Sequence, residues 1–428
     1  MKHVVKNYAA LATDRRRRDA LAVLEAGLRA IDTRAAMREA VSREGRMLTV
    51  RGRRFDLSRF GRTFVIGIGK AAYEAAAALE GILGERLTDG IVLDVKAGKL
   101  KRLKSIAGSH PLPSPANVRA TGEIIGLVKS LRPDDLLIVI ASGGGSALLC
   151  WPHALTCDQV SMLTAALMRE GADIHETNTV RKHVSEILGG QLAALAAPAT
   201  VLGLVFSDVP GDDISQVASG PTVLDQTTID DARRIMDRYD PLKACKLPAC
   251  ELRETPKDPA LFQRVTNVLI LGNRTALAAM EEEGERRGYV VRVHGTAVSG
   301  EARQVGATLA GLPQPGEMVI AGGETTVTVR GSGRGGRNQE LALGALSHVP
   351  DDGLVLSCAS DGIDNGPVAG AFADATVRDA ARKKKLDPDA FLARNDSSSF
   401  FKKAGGQIMT GHTGSNVSDL MIALRRKG

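Results

Sequence analysis

One pattern recurs along the chain from residue 63: an apolar run, a loop rich in Gly, Ser and Asp, and a stretch with helical spacing of apolar residues. Such runs are typical of strands buried on both faces of a parallel sheet. Seven of these strand-and-loop segments are TFVIGIGK (63–70), DLLIVIASGGGS (135–146), TVLGLVFSDVPGDD (200–213), NVLILGNRTA (267–276), VVRVHGTAVSG (290–300), MVIAGGETT (318–326) and GLVLSCASDGID (353–364). The pattern predicts an α/β fold with mostly parallel sheets, and loops that gather at the ligand-binding edge.

The chain is long enough for two domains, since 428 residues exceed the usual size of one hydrophobic core. Apolar residues three or four apart predict a helical region over 15–48. The stretch 239–262 carries four prolines and no periodicity, so we expect the domain junction there. We predict one domain over 1–240 and another over 262–395, with the tail 396–428 as a last strand and helix that could return to the first domain.

Composition narrows the possible functions. Aromatic residues make up only 3% of the chain, which disfavours nucleic-acid binding by base stacking. The net charge of +7 favours small anionic substrates, although basic runs such as TDRRRRDA are typical of solvated helix faces. The five cysteines form no zinc-type pattern, and we expect reduced thiols in a cytoplasmic protein. The chain has no 18-residue apolar run and begins with a polar segment, so we predict no membrane span and no secretory signal.

The loop ASGGGSALL (141–149) is the first candidate for chemistry. Three consecutive glycines, Gly143, Gly144 and Gly145, lie between Ser142 and Ser146. Glycines let the backbone approach a ligand closely and direct successive N–H groups at an anion, whereas a purely structural turn would not need three of them. We predict that these residues bind a phosphate group. The loop is not a P-loop, because no G-K-[ST] follows.

A basic pair follows in ETNTVRKHVSEILGGQLAAL (176–195), which is predicted to form a helix beginning at Asn178 or Thr179. Arg181 and Lys182 would then lie in its first turn, where positive charge opposes the helix dipole. That unfavourable position is explained if the two side chains bind an anion. Basic side chains that simply face solvent are the alternative.

Three acidic residues, Asp208, Asp212 and Asp213, lie within one loop after a predicted strand. Clustered carboxylates can hold Mg²⁺ or accept the proton of a hydroxyl group. The alternative is an Asp-rich turn in which Asp212 or Asp213 caps a helix.

A second unusual loop follows Glu324, which ends a predicted strand. It contains Arg334, Arg337 and four glycines, and it leads into a helix near Asn338. An arginine at a helix start can present a bidentate fork to a carboxylate or phosphate. Asp361 ends a further strand and joins the candidates.

Taken together, these segments resemble the type 2 glycerate kinases, whose C-terminal part is called the MOFRL domain. The matching segments span residues 67–420 in the expected order and are GIGKAA, SGGGSALL, NTVRKHVSEILGGQLA, SDVPGDD with SGPT, GGETTVTV, GRGGRNQELAL, SDGID and TGSNVSDL. The resemblance implies transfer of phosphate from ATP, with Mg²⁺, to the 2-hydroxyl of D-glycerate. It also implies a Rossmann-like N-terminal domain and an active site in a cleft between two α/β domains.

The resemblance also implies roles for single residues. Lys70, Asp212 and Arg337 match the catalytic lysine, acid and arginine of the family. Further candidates are Asp208, Glu324, Asn338 and Asp361 in the cleft, Lys182 with the glycine loop in the nucleotide site, and Asp208 with Asp212 as metal ligands. The expected partners are D-glycerate and ATP, with no nucleic acid and no membrane, and a homodimer is the candidate assembly.

The turn at Lys70 also fits G-x-G-x-x-A, the dinucleotide pattern, through Gly67, Gly69 and Ala72. Some members of the resembling family are labelled hydroxypyruvate reductase, so an NAD(P)-dependent reductase is the alternative function. Asp89 and Asp94 lie near the spacing of the acid that binds the ribose. The sequence offers no His or Tyr proton donor beside an Arg, but it offers anion loops, carboxylates and cations, which phosphoryl transfer needs. We therefore interpret Lys70 as a catalytic cation. A third possible function, a non-catalytic sensor of sugar acids, would not need a lysine, acids and an arginine from different loops.

Overall fold

A computed structural model describes residues 3–247 and 249–427. The chain divides into two compact units. The parallel-sheet unit comprises residues 33–207 and 213–270, and the mixed-sheet unit comprises residues up to Asp32, Asp208–Asp212 and the chain from Leu271 onward. The division therefore differs from the predicted domains 1–240 and 262–395.

The described residues contain fifteen strands. They are β1 (Val41–Glu44), β2 (Met47–Val50), β3 (Arg53–Asp56), β4 (Thr63–Ile68), β5 (Asp89–Asp94), β6 (Lys104–Ala107), β7 (Leu136–Ser142), β8 (Thr200–Phe206), β9 (Val265–Leu271), β10 (Val290–Val298), β11 (Glu317–Gly323), β12 (Gly353–Ala359), β13 (Gly370–Asp374), β14 (Gln407–Ile408) and β15 (Asp419–Arg425). All seven apolar runs predicted to be strands are strands.

The same part of the chain contains seventeen α-helices. They are α1 (Tyr8–Leu11), α2 (Arg15–Ala30), α3 (Thr33–Ala40), α4 (Ala72–Leu83), α5 (Pro115–Lys129), α6 (Gly145–Leu148), α7 (Cys157–Arg169), α8 (Ile174–His183), α9 (Gln191–Ala196), α10 (Ile229–Tyr239), α11 (Pro241–Cys245), α12 (Asn273–Arg286), α13 (Ala302–Ala310), α14 (Arg337–Ala345), α15 (Ala375–Lys383), α16 (Pro388–Ala393) and α17 (Ser397–Ala404).

The parallel-sheet unit is built on a six-stranded sheet of order β6-β5-β4-β7-β8-β9. Its central strands are buried along their whole length, as their apolar runs predict. Ile66, Ile68 and Val139 pack with Ile124 of α5 and Leu192 of α9 in one core. The parallel register brings the carboxyl ends of β4, β7 and β8 to one edge of the sheet. A small antiparallel sheet of β1, β2 and β3 precedes it, so the helical region predicted over 15–48 is wrong from β1 onward.

The mixed-sheet unit has a six-stranded sheet of order β10-β11-β15-β12-β13-β14. Only β10 and β11 are parallel, so the prediction of mostly parallel strands is wrong for this sheet. The connection from β12 to β13 is a short loop rather than a crossover helix, and such a connection makes neighbouring strands antiparallel. The tail forms β15 between β11 and β12, so it does not return to the first predicted domain, and no helix follows that strand among the described residues.

Helix α2 belongs to the mixed-sheet unit although it lies near the start of the chain. Asp14 caps it by accepting the N–H of Arg17 at 3.0 Å. Its buried side packs on α12, where Gly27 lies so close to Met280 that a larger residue would collide. Arg17 forms a buried ion pair with Asp374 at the end of β13, with Nε 2.6 Å from the carboxylate.

The proline-rich stretch 239–262 is not a junction, because it lies inside the parallel-sheet unit. Although largely irregular, it packs apolar side chains such as Leu242, Leu247 and Leu252 against the core cluster around Leu163 and Val180. Because these apolar residues pack without a regular spacing, the sequence of this stretch shows no pattern that would predict their burial. One of its four prolines, Pro248, lies outside the described residues.

Two further expectations concern the cysteines and the membrane. Cys150 and Cys157 form a disulfide, so the expectation of only reduced thiols is wrong for this pair; Cys245, Cys250 and Cys358 are free. No helix in the described part of the chain is both long enough and apolar enough to cross a membrane.

Candidate active site

Lys70 lies at the carboxyl end of β4, in a turn joined to the end of β7. Its backbone N–H donates to the carbonyl of Gly143 at 2.9 Å. Ser142 Oγ accepts the N–H of Ala71 and donates to the carbonyl of Ile68, both at 3.1 Å. Gly69 has φ +110 and faces Ser142 so closely that a side chain would collide with it. These contacts fix the turn and leave the Lys70 side chain exposed at this edge of the sheet.

The glycine loop lies directly beside Lys70. Gly144 has φ +79, and a Cβ atom there would lie 3.0 Å from both Lys70 Cε and the ring of His110. Burial, and secondarily the charge of Lys70, lower the pKa of His110 to about 4, so this imidazole is neutral at pH 7. Sequence reasoning missed His110, because nothing in the segment around it indicated that it would meet the glycine loop.

A hydrogen-bonded chain leads away from the glycine loop on its other side. Ser146 Oγ lies 2.8 Å from Ser219 Oγ, which donates to Asn178 Oδ1 at 3.1 Å. Arg181 Nη1 donates to the same oxygen at 2.8 Å. Ala218 and Ser219 both have left-handed φ values, of 51° and 55°. Such strain in non-glycine residues is typical of functional sites that the surrounding packing holds in place.

The basic pair is arranged differently from the prediction. Helix α8 is capped by Asp173 and ends at His183, so Arg181 and Lys182 lie in its last turn, where the helix dipole favours positive charge. Lys182 is buried, and its Nζ lies 3.1 Å from Asp225. Burial would raise the pKa of Asp225, but Lys182 and Thr227 hold that pKa below its usual value. The structure thus places Lys182 in a structural ion pair rather than at the glycine loop.

The acidic loop divides between the units. Asp208 and Asp212 belong to the mixed-sheet unit, whereas Asp213 belongs to the parallel-sheet unit. The carboxylate of Asp212 accepts the N–H groups of Asn273 at 3.0 Å and Arg274 at 3.3 Å, at the start of α12. It therefore caps α12, a role that the sequence offered only as an alternative.

The loop before β15 approaches the same place. Ser418 Oγ donates to the carbonyl of Asp208 at 2.8 Å, and Asn273 Nδ2 donates to the carbonyl of Val417 at 2.8 Å. Within residues 3–247 and 249–427, no group of three or more His, Cys, Asp or Glu side chains could hold a metal ion. The described residues therefore offer no metal cage made of three such side chains.

Arg337 begins α14, as the sequence predicts, and three carboxylate contacts fix its guanidinium. Nε and Nη2 donate to Asp419 at 2.6 Å and 3.1 Å, and Nη1 lies 2.9 Å from Glu324. Asp419 is fully buried, whereas Glu324 is about half exposed. Burial raises the pKa of Asp419 to about 6, against the opposing effect of Arg337. Burial of the Arg337 guanidinium disfavours its positive charge. The contact with Asp419 outweighs this effect and keeps the pKa of Arg337 above its usual value.

Asn338 follows this arginine in the chain and lies with it in a network of buried polar groups. Asn338 Nδ2 donates to Asp419 at 2.8 Å, and its N–H donates to Asp364 at 3.0 Å, so Asp364 caps α14. Asp361 is less involved: its carboxylate accepts the N–H of Ile363 at 2.9 Å. The structure therefore joins Arg337, Glu324 and Asn338 in one site. Asp419 was missed, although an acid directly before the buried run LMIAL could have indicated it.

The dinucleotide alternative can be tested at Asp94, which ends β5, the strand that follows the turn of Lys70 and helix α4. Asp94 is buried, and its carboxylate accepts the N–H groups of Tyr73 at 2.9 Å and Lys96 at 3.3 Å. The burial of this carboxylate and its two bonds to the backbone argue against a role in binding the ribose hydroxyls of NAD.

Comparison with known proteins identifies the family. A family model described as a domain of unknown function (DUF4147) matches residues 19–254, and the MOFRL family model matches residues 317–419. The glycerate 2-kinase of Pyrococcus horikoshii is 35% identical, and the alignment covers 93% of this chain and 94% of that protein. The chain belongs to the glycerate kinase family.

Other members of the family support the same conclusion. The D-glycerate 2-kinase of Thermotoga maritima is 34% identical over 85% of this chain and 90% of that protein. A crystal structure of glycerate kinase from the same organism has a TM-score of 0.82 and 30% identity, covering 95% of this chain and 99% of the other. A relative from Agrobacterium vitis, named a putative hydroxypyruvate reductase, is 39% identical over 85% of this chain and 99% of that protein. The predicted α/β fold and family are confirmed.

Proposed function

We propose that the protein is a glycerate 2-kinase, which transfers the γ-phosphoryl group of ATP to the 2-hydroxyl of D-glycerate and releases ADP and 2-phosphoglycerate. The observation that carries the proposal is the 35% identity to a glycerate 2-kinase along nearly the whole of both chains. The exposed lysine beside a glycine loop and the arginine fixed by carboxylates support it, because phosphoryl transfer depends on positioning and on stabilising negative charge.

In the parallel-sheet unit, we assign the phosphates of ATP to the loop from Ser142 to Ser146. Lys70 supplies the cation, because its exposed side chain starts beside Gly144 while its backbone is fixed to Gly143. His110 is neutral at pH 7, so it does not add a second charge there. Its role is that of a neutral neighbour of Lys70.

In the mixed-sheet unit, we assign Arg337 to an anionic group of the reactants, either the carboxylate of glycerate or the transferred phosphoryl group. Asp419 orients its guanidinium through Nε and Nη2, and the half-exposed Glu324 contacts Nη1. A reactant anion can replace Glu324 at Nη1 without disturbing the buried pair. Asn338 and Asp361 support this region, and Asp212 accepts the hydroxyl proton of glycerate.

Mg²⁺ would enter with the nucleotide. Because the described residues form no cluster of three ligating side chains, the ion would be held by ATP phosphates and water with at most one or two carboxylates, for which Asp208 and Asp212 are the candidates. When bound, Mg²⁺ would neutralise charge on the phosphates.

Two other expectations stay predictions: the cytoplasmic location and a homodimer. The alternative function, NAD(P)-dependent reduction of hydroxypyruvate, has the name of the Agrobacterium vitis relative in its favour. The buried, backbone-bound Asp94 argues against it.

The test is to incubate the purified protein with ATP, Mg²⁺ and D-glycerate, and to assign the product by phosphorus NMR. We expect ADP and 2-phosphoglycerate, with no product when D-glycerate or Mg²⁺ is omitted. A parallel reaction contains NADH and hydroxypyruvate. Oxidation of NADH at a comparable rate, without any release of ADP, would show that the kinase assignment is wrong.

A further inference from the structure

Arg181 differs from the other arginines whose side chains are at least partly buried. Each of those other arginines has a nitrogen within 4.0 Å of a carboxylate oxygen. The eight residues are Arg16, Arg17, Arg62, Arg287, Arg303, Arg337, Arg378 and Arg425. Among residues 3–247 and 249–427, Arg181 has no acidic partner within that distance. An arginine that is withdrawn from water without a counter-ion is destabilising unless something supplies the missing negative charge.

The contacts of the Arg181 guanidinium leave most of its donors unused. Of the five N–H groups of a guanidinium, one donates to Asn178 Oδ1 at 2.8 Å, and the others have no acceptor among the described residues. Burial lowers the pKa of Arg181 to about 10, so the group remains charged at pH 7. The side chain is only partly buried, which leaves an open side from which an anion can approach.

The position of Arg181 connects it to the glycine loop. Its partner Asn178 also accepts the hydroxyl of Ser219, and Ser219 in turn lies 2.8 Å from Ser146 Oγ. Arg181 and Ser146 line the same small cavity, whose other walls include the apolar side chains of Leu149 and Leu188. That cavity has a volume of about 20 Å³, enough for about one water molecule, so an anion would bind at its mouth rather than inside it. Apolar surroundings strengthen the attraction between a guanidinium and an oxyanion.

We propose that Arg181, rather than its neighbour Lys182, is the cation that completes an oxyanion site with Ser146 and the glycine loop. The ligand is a group with at least two equivalent oxygens: a phosphate of the nucleotide or the carboxylate of the hydroxy acid. Lys182 is excluded because its ammonium is already paired with the buried Asp225. Only the identity of the ligand rests on the proposed function; the site itself rests on the unpartnered guanidinium and its connection to the loop.

The test measures binding without turnover. Isothermal titration calorimetry of the full chain with ATP, with D-glycerate and with inorganic pyrophosphate, each alone, compares wild type with Arg181→Met and Arg181→Lys. We expect Arg181→Met to raise the Kd of at least one ligand by roughly 10- to 100-fold, the usual effect of losing a hydrogen bond to a charged group. The Kd of Arg181→Lys should lie between those of wild type and Arg181→Met, because lysine keeps the positive charge but lacks the two parallel donors of a guanidinium. Arg119→Met, which removes an exposed arginine from α5 of the same unit, is the matched control and should leave each Kd unchanged.

The three titrations identify the ligand and separate the proposal for Arg181 from the proposed kinase function. Weaker binding of ATP and pyrophosphate assigns a phosphate group, and weaker binding of D-glycerate alone assigns a carboxylate. If pyrophosphate binds through Arg181 but no kinase activity is found, the site stands and the proposed function fails. If every Kd for Arg181→Met stays within about twofold of wild type, the site is refuted even in an active kinase.

A folding control keeps the test decisive. Because Arg181 lacks a counter-ion, Arg181→Met should leave the Tm of the ligand-free protein unchanged or higher. Saturating pyrophosphate should raise the Tm of wild type more than that of the variant, as linkage requires. A clear fall in Tm without ligand, together with an unchanged pyrophosphate shift, would show that Arg181 is only structural.

Discussion

Asp212 is the residue whose structural and catalytic contributions can be separated most clearly. Its carboxylate caps α12 through the N–H groups of Asn273 and Arg274, and its backbone has φ +61. Asparagine caps helices as well as aspartate does and also tolerates left-handed backbone. Asp212→Asn therefore keeps the turn and one capping bond, from the Asn273 N–H, but it removes the negative charge, the proton acceptor and the second oxygen that accepts the Arg274 N–H.

The structure gives different magnitudes for the two contributions. Losing the charge at the start of α12 costs about 0.3–1 kcal/mol of unfolding free energy, and a change of that size lowers Tm by about 1–4 °C in a unit of this size. Losing a general base costs roughly two to four decades in kcat. Asp212→Ala should cost a further ~1 kcal/mol, because it removes the cap as well.

Thermal unfolding and initial rates of ADP release with D-glycerate measure the two effects on the same preparations. Asp14→Asn is the matched control, because Asp14 caps α2 in the same unit. It should show a similar small fall in Tm with an unchanged kcat. If Asp212→Asn keeps near wild-type kcat and an unchanged dependence on Mg²⁺, Asp212 is only a helix cap and the catalytic assignment is refuted.

Further predictions concern charges at both sites and in the core. Lys70→Ala should lower kcat with little change in KM, because its charge matters most in the transition state, and steady-state kinetics with D-glycerate and ATP will show this. Arg337→Lys should already lower activity, since lysine cannot reproduce the bidentate contact with Asp419. If only the KM for glycerate rises, Arg337 binds the carboxylate of glycerate. If kcat falls instead, Arg337 binds the transferred phosphoryl group. Because the pKa of Asp419 is raised to about 6, kcat/KM should fall as pH drops through about 6, and Asp419→Asn should remove this inflection. The pKa of Asp419 in the folded protein lies above the ordinary value of 3.8, so protonation of Asp419 adds to the stability of the fold as pH falls through this range. The loss of kcat/KM should therefore occur without unfolding, which circular dichroism will show. Arg17→Met should cost roughly 3–5 kcal/mol in urea unfolding, because it leaves the buried Asp374 without its partner; a loss below ~1 kcal/mol would contradict the importance of this ion pair.

Strands were predictable from the sequence, but the directions in which they pair were not. Buried runs such as 318–323 and 353–359 carry their own apolar pattern, so their strand identity is local information. Whether β12 pairs with a parallel or an antiparallel neighbour depends on where β15 lies, and β15 comes more than 50 residues later in the chain. No periodicity within a strand reports the direction of its neighbour.

The same limit applies to the candidate site. The positions of Lys70 at a strand end and Arg337 at a helix start were predictable, because each lies beside glycines that mark an unusual backbone, while their catalytic roles stay predictions. Arg181 and Lys182 are neighbours with similar chemistry, and only the partner of Lys182, Asp225, distinguishes them. That partner lies 43 residues away and enters through tertiary packing, so the sequence, which offered an anion to both side chains, could not show that Lys182 is already paired.

The packing of α2 has a consequence for the order in which the chain folds during synthesis. The helix leaves the ribosome early, but its partners α12 and β15 are made much later, and β15 completes the centre of their sheet. At about 5–20 residues per second, roughly 20–80 s separate the synthesis of α2 from that of β15. During that time the parallel-sheet unit can close, while Leu21, Leu24 and Leu28 have no permanent partner. A chain that stalls before β15 would therefore present an amphipathic helix to chaperones, and one of the first elements made would be among the last to be buried.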